Sequence, residues 1–129
     1  MKKVFACAIA LILLLSLTGC GKYASSYKAV GLTRSGEAGS ALMNFYSFEG
    51  RMVFKLKSTG EGDIQYFARL ESGEAKVYYD CYGSKLELFS LEGGEEAASH
   101  GGYVEAGTVY VIVETDGKCM NGEFRFSVK

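Results

Sequence analysis

The sequence predicts an all-β domain, an antiparallel β-sandwich or flattened barrel of about seven or eight short strands. Three observations carry this expectation. From Ala41 onward, short runs alternate apolar and polar residues with a period of two, which buries one face of a sheet and leaves the other in water. Glycine-containing dipeptides separate the runs, and glycine supplies the positive φ that tight turns need. Beyond the first twenty residues no stretch sustains a 3.6-residue apolar period, and proline is absent, so nothing interrupts a strand ladder.

The chain opens differently. Met1-Lys2-Lys3 is a short cationic start, Val4 to Leu17 is almost wholly apolar, and Thr18 and Gly19 are small. This is the profile of a secretory signal, a helical apolar run shorter than the roughly 20 residues that span hydrocarbon comfortably. A permanent transmembrane helix is the competing reading. Leu17-Thr18-Gly19-Cys20 resembles the bacterial lipobox, in which a cysteine follows leucine and two small residues. The resemblance implies that residues 1–19 are removed and that Cys20 becomes a diacylglyceryl-modified N-terminus. The domain would then sit on the extracytoplasmic face of a bacterial cell membrane. Two acyl chains anchor stably where one binds only marginally.

The expected division is a signal peptide at 1–19, the lipidated Cys20 and a polar stretch at 20–39, and the sandwich at 40–129. Gly21 to Ser26 reads as a tether, Tyr27 to Arg34 as an edge strand, and Ser35 to Ser40 as a loop. Arg51 to Lys57 places Met52, Phe54 and Leu56 on one face, and Asp63 to Glu71 does so with Ile64, Tyr66, Ala68 and Leu70. Ala75 to Tyr82 groups Val77, Tyr79 and Cys81, and Lys85 to Leu91 turns Leu86 and Leu88 inward. Gly107 to Thr115 buries Val109, Val111 and Val113, and Glu123 to Lys129 buries Phe124, Phe126 and Val128. Glu49-Gly50, Ser72-Gly73, Gly83-Ser84 and Asp116-Gly117 are the expected hairpin turns, and Gly93 to Gly102 is an expected loop.

A wider resemblance appears in this order of leader, lipobox, polar stretch and final strands. The strands Glu105-Ala106-Gly107-Thr108-Val109-Tyr110-Val111-Ile112-Val113-Glu114 and Gly122-Glu123-Phe124-Arg125-Phe126 are similar to those of small Gram-positive lipoproteins with one jelly-roll-like sandwich. Gly107 to Val113 also resembles the penultimate strand of bacterial pre-peptidase C-terminal domains and of some carbohydrate-binding modules. The resemblance supports the fold.

The formal net charge is −1 at pH 7, and losing Lys2 and Lys3 with the leader makes it more negative. No basic patch stands out, which argues against a nucleic-acid partner. Once Cys7 is removed and Cys20 acylated, Cys81 and Cys119 remain. In an exported domain two cysteines most often pair, so a disulfide is the expectation. Two free buried thiols, or a metal site completed by His100, are the alternatives.

Catalytic and metal chemistry find little support. His100 is the single histidine and lies in Glu95-Glu96-Ala97-Ala98-Ser99-His100-Gly101-Gly102, without a nucleophile elbow. Asp63, Asp80 and Asp116 fall at expected strand ends but in no calcium-ligand spacing. Neither a cofactor nor a metal is expected. The parity of the strands turns Tyr78, Tyr82, Tyr110, Phe67 and Phe89 outward, a set of rings suited to stacking on a sugar or a partner's side chains. Cross-strand ring pairing within the sheet is the alternative. The leading expectation is a monomeric, non-enzymatic, lipid-anchored module binding an envelope protein or glycan. The alternative is a structural or accessory lipoprotein without its own ligand.

Overall fold

The computed structural model describes residues 23–128, and the fold is an antiparallel β-sandwich of the jelly-roll kind. The expected signal peptide, the Leu17-Thr18-Gly19-Cys20 motif and the lipidation site Cys20 lie outside the described residues. Nine strands follow one another: β1 (Ser26–Val30), β2 (Thr33–Glu37), β3 (Ser40–Ser58), β4 (Gly62–Ser72), β5 (Glu74–Asp80), β6 (Leu86–Glu92), β7 (Glu96–Val104), β8 (Gly107–Thr115) and β9 (Cys119–Val128). No helix among the described residues is long and apolar enough to cross a membrane.

The pairing register reveals how the sheet is folded. Arg51 pairs with Ser26 on one side and Glu114 on the other, while Phe48 pairs with Ala29 and Cys119. Strands β8 and β9 therefore lie end to end along the same edge of β3. By the same logic β4 and β5 lie end to end against them, followed by β7 and β6. The molecule is a set of long ribbons creased across the middle. On one side of the crease, β2, the first half of β3, β9, β4 and β7 form the first sheet. On the other, the second half of β3, β8, β5 and β6 form the second.

The crease explains four corrections to the expected turns. Glu49-Gly50 is not a hairpin but a corner inside the continuous β3. Ser72-Gly73 and Asp116-Gly117 join strands that do not pair with each other, so they too are corners. Only Gly83-Ser84 joins paired neighbours, β5 and β6. The expected loop from Gly93 to Gly102 is mostly strand β7, which lines the free edge of β4. Glycine is required at the corners themselves. Gly73 has φ +101, and a Cβ there would lie 2.7 Å from Cys119 Sγ; Gly50 has φ +128, and a Cβ would collide with the Ser26 carbonyl.

Inner faces of the two halves close on one core. Met43, Phe48, Met52, Ile64, Val111 and Phe124 are fully buried in it. Rings bridge the halves: Phe54 to Phe126 at 6.0 Å and Tyr66 stacked on Phe89 at 4.2 Å. Phe89 was expected outside. A register shift between Val77 and Tyr78 skips Leu88, and such a bulge reverses the parity of the strand. Phe89 consequently packs inward beside Leu88; Leu86, opposite Tyr79 at the start of β6, is left exposed rather than buried.

The N-terminal stretch is part of the domain. The single expected edge strand and the loop after it are two strands, β1 and β2, both paired with β3. The end of the expected tether also docks. Tyr23 donates to Asp80 Oδ2 at 2.6 Å, and Ser25 Oγ accepts from the Val53 amide at 2.9 Å.

The expected disulfide is absent: Cys81 and Cys119 are both free. Cys119 Sγ lies 3.3 Å from the Glu74 carbonyl at the start of β5, whereas Cys81 follows Asp80 at its end. An extended strand of this length separates them by roughly 20 Å, far beyond the ~7 Å limit for Cα atoms of a bridge. Burial pushes the Cys119 thiol above its ordinary value. The Cys81 sulfur instead meets the backbone of Glu105, accepting from its amide at 3.4 Å.

Candidate functional site

The aromatics expected to form one face are dispersed. Tyr110 and Tyr78 do lie on the outer face of the second sheet, but both are half-buried. Tyr23 meets the Tyr110 ring edge-on at 5.4 Å, and Lys85 Nζ sits 4.3 Å above the Tyr78 ring. Phe67 lies on the outer face of the first sheet under the Arg125 guanidinium, 5.6 Å away. Tyr82 lies at the far end of the sandwich, stacked on Tyr103 at 6.3 Å. Phe89 is inside.

The centre of the outer face of the second sheet is covered. Ile112 points away from the main core yet has no exposed surface, and Asp80 is 2% exposed. Asp80 accepts from Tyr23 and, through Oδ1, from the Gly83 amide at 2.7 Å. Burial, and then the hydrogen bond to Asp80, push the Tyr23 hydroxyl up to about 12. Beside it, Glu114 contacts Arg51 at 3.0 Å and Lys85 at 2.7 Å. Partial burial alone would raise the Glu114 pKa, but Lys85 and Arg51 outweigh it and hold the carboxyl below its ordinary value.

The first sheet presents the opposite. Its outer face holds a cleft of about 650 Å³ beside the crease, lined among others by Asn44, Tyr46, Arg69, Glu71, Asn121 and Glu123. Alternation along β3 dictates the orientation: Ala41, Met43 and Phe45 are buried, so Asn44 and Tyr46 point out. Register does the rest, setting Asn44, Glu123, Arg69 and Glu96 in one row across four strands. Tyr46 is 57% exposed and stands as a ring at the mouth. Arg69 and Arg125 both approach the Glu123 carboxylate, at 3.5 and 2.5 Å. Asn121 is the one non-glycine residue with positive φ among the described residues, and its side chain donates to Glu71. Backbone strain of this kind costs about 1–3 kcal/mol and tends to persist where a side chain must be aimed.

Among the described residues, His100 and the three aspartates at strand ends do not converge on one site. His100 is on strand β7, not in a loop, and its Nδ1 lies 2.6 Å from Asp63 Oδ2 on an exposed surface. Asp63, Asp80 and Asp116 are separated: Asp63 pairs with His100, Asp80 holds Tyr23, and the Asp116 amide donates to Glu74 at the crease. Among the described residues no group of three or more His, Cys, Asp or Glu side chains is placed to hold a metal ion.

The sequence reading missed the cleft residues Asn44, Tyr46, Arg69, Asn121 and Glu123. The signal for Tyr46 was present in the alternation of Ala41, Met43 and Phe45. The convergence of Arg69 and Glu123 depends on β4 pairing with β9 across a long separation, which periodicity does not encode.

No protein-family model and no curated protein sequence matches the chain. Solved structures do resemble it. TmCBM61, solved in complex with beta-1,4-galactotriose, aligns over 81% of this chain and 87% of its own with 14% identity and a TM-score of 0.52. The periplasmic g-type lysozyme inhibitor PliG of Aeromonas hydrophila aligns over 78% and 95% with 15% identity and a TM-score of 0.47. The pre-peptidase C-terminal domain of Bacillus anthracis collagenase aligns over 82% and 88% with 12% identity and a TM-score of 0.45. At these identities the likeness is one of fold: the chain is built as a single jelly-roll sandwich of the architecture seen in TmCBM61.

Proposed function

We propose that this chain is a non-enzymatic, lipid-anchored module of the cell envelope that binds a glycan on the open face of its first sheet. The observation that carries the reading is the cleft beside Tyr46, where an exposed ring adjoins fixed donors and acceptors. A sugar presents C–H faces and a fringe of hydroxyls. A ring covers the former, while Arg69, Asn44 and Asn121 can donate to the latter and Glu71 and Glu123 can accept. TmCBM61, of the same fold, was solved with a galactotriose bound, so this architecture can carry a sugar-binding surface. The anchor in this reading is Cys20, acylated within Leu17-Thr18-Gly19-Cys20.

The test is retention of residues 21–129 on isolated cell-wall glycans and on β-1,4-galactan. Tyr46→Ala combined with Arg69→Ala should reduce retention at least tenfold, about 1.4 kcal/mol, with circular dichroism unchanged. Retention of an envelope protein but of no glycan would favour a protein partner. Retention of neither would support an accessory lipoprotein without its own ligand. Intact mass of the full chain against Cys20→Ala tests the anchor.

A further inference from the structure

The structure has a second unpaired surface, at the pole opposite the cleft. There the β5–β6 hairpin and the end of β7 expose Tyr82, Leu86 and Tyr103, at 53, 46 and 47%. The two rings stack on each other, 19° from parallel. Contacts between Cys81 and Glu105 tie the hairpin to the connection after β7. Nothing among the described residues covers the outer sides of these three side chains.

We infer that this pole is seated in the membrane interface, so that the cleft at the crease faces away from the bilayer. The inference rests on the anchoring of Cys20. Its carrier is the docking of Tyr23. Tyr23 is not at the end of a slack tether but pinned to Asp80, and Asp80 also holds the Gly83 amide of the exposed hairpin. From Tyr23 back to Cys20 is three residues, a reach of at most about 11 Å. An acylated Cys20 therefore brings the headgroups to the hairpin that carries Tyr82 and Leu86.

The chemistry of the pole fits that neighbour. Tyrosine favours the boundary between hydrocarbon and water, with its ring in one and its hydroxyl in the other. Lys55 and Lys57, exposed on the last part of β3, approach from the second sheet and suit phosphate headgroups. Glu61 and Glu105 flank the ring pair, and Glu61 accepts from the Tyr103 hydroxyl. These carboxylates keep the seat shallow and make it depend on the rings more than on lipid charge. The second half of β3, Arg51 to Ser58, spans roughly 25 Å from crease to pole, which lifts the cleft clear of the headgroups.

The chain contains no tryptophan, so one substitution supplies a unique fluorescent reporter. The full-length protein, processed and acylated in cells, is placed in vesicles of brominated phosphatidylcholine with Tyr82→Trp, Tyr103→Trp or Tyr46→Trp. Quenching should be at least threefold stronger at positions 82 and 103 than at 46. Having two reporters at the pole guards against a variant that folds poorly. Equal quenching at the two poles, or stronger quenching at 46, with Cys20 acylation verified by mass, would overturn the orientation and leave the anchor standing. An unmodified Cys20 in a chain that stays off the vesicles would overturn anchor and orientation together.

Discussion

The outer faces of the two sheets obey the same alternation and reach opposite outcomes. On the second sheet Ile112 points outward and is fully buried; on the first, Tyr46 points outward and is 57% exposed. A short piece of chain lies over part of the second sheet. Tyr23 to Ser25 crosses the second sheet, closing over Tyr110 and hydrogen bonding to Asp80 and Val53. No segment among the described residues crosses the first sheet, and its outward residues are left to line a cleft. Parity decides which way a side chain points, but a distant segment decides whether it meets water.

Four substitutions probe that contrast. Ile112→Ala should have the largest effect, about 2–5 kcal/mol of stability lost as a cavity opens at a fully buried site, measured by urea unfolding. A loss under ~1 kcal/mol would mean that Ile112 is not closely packed. Tyr23→Phe should follow at about 1–3 kcal/mol, because a buried carboxylate loses a donor. The same pair predicts an alkaline signature. A hydroxyl held near 12 rather than at the ordinary value near 10 contributes fully below pH 10 and loses its contribution as pH rises through 12. Tyr23→Phe should abolish that extra alkaline loss, and unfolding midpoints at pH 9 and 11.5 would reveal it.

Glu114→Gln should change stability by no more than about 1 kcal/mol, since its ion pairs with Arg51 and Lys85 keep contact with water. Its lowered pKa gives a contribution present above the ordinary carboxylate value and lost as pH falls through the depressed one. Tyr46→Ala on the open face should alter stability by only about 0.5 kcal/mol. A larger loss would show the ring to be part of the packing rather than a free surface.

The strand content of this fold was legible in the sequence wherever one face alone is buried. Met52, Phe54 and Leu56 in β3, and Val109, Val111 and Val113 in β8, read directly as inner positions. Turns were legible as places but not as kinds: Glu49-Gly50 and Asp116-Gly117 carry the composition of hairpins, yet long-range pairing makes them corners. Strand β7 was hidden because Glu95 to Gly102 is small, polar and glycine-rich, and it is ordered by β4 rather than by its own propensity. Phe89 was misplaced by one skipped residue at the bulge. The other outward aromatics were visible as a set, but their scattering over two faces and one pole follows from the crease, which no local pattern records.

The crease also changes how the chain tolerates change. Before it, β3 buries odd-numbered positions (Ala41, Met43, Phe45); after it, even-numbered ones (Met52, Phe54, Leu56). Strand β8 buries Val109, Val111 and Val113, while its continuation β9 buries Phe124 and Phe126. The phase of alternation is thus set separately on each side of the fold line. A residue gained or lost in one half inverts that half alone, and the corner absorbs the slip. The count around Tyr46 and the count beneath Tyr23 are therefore kept independently.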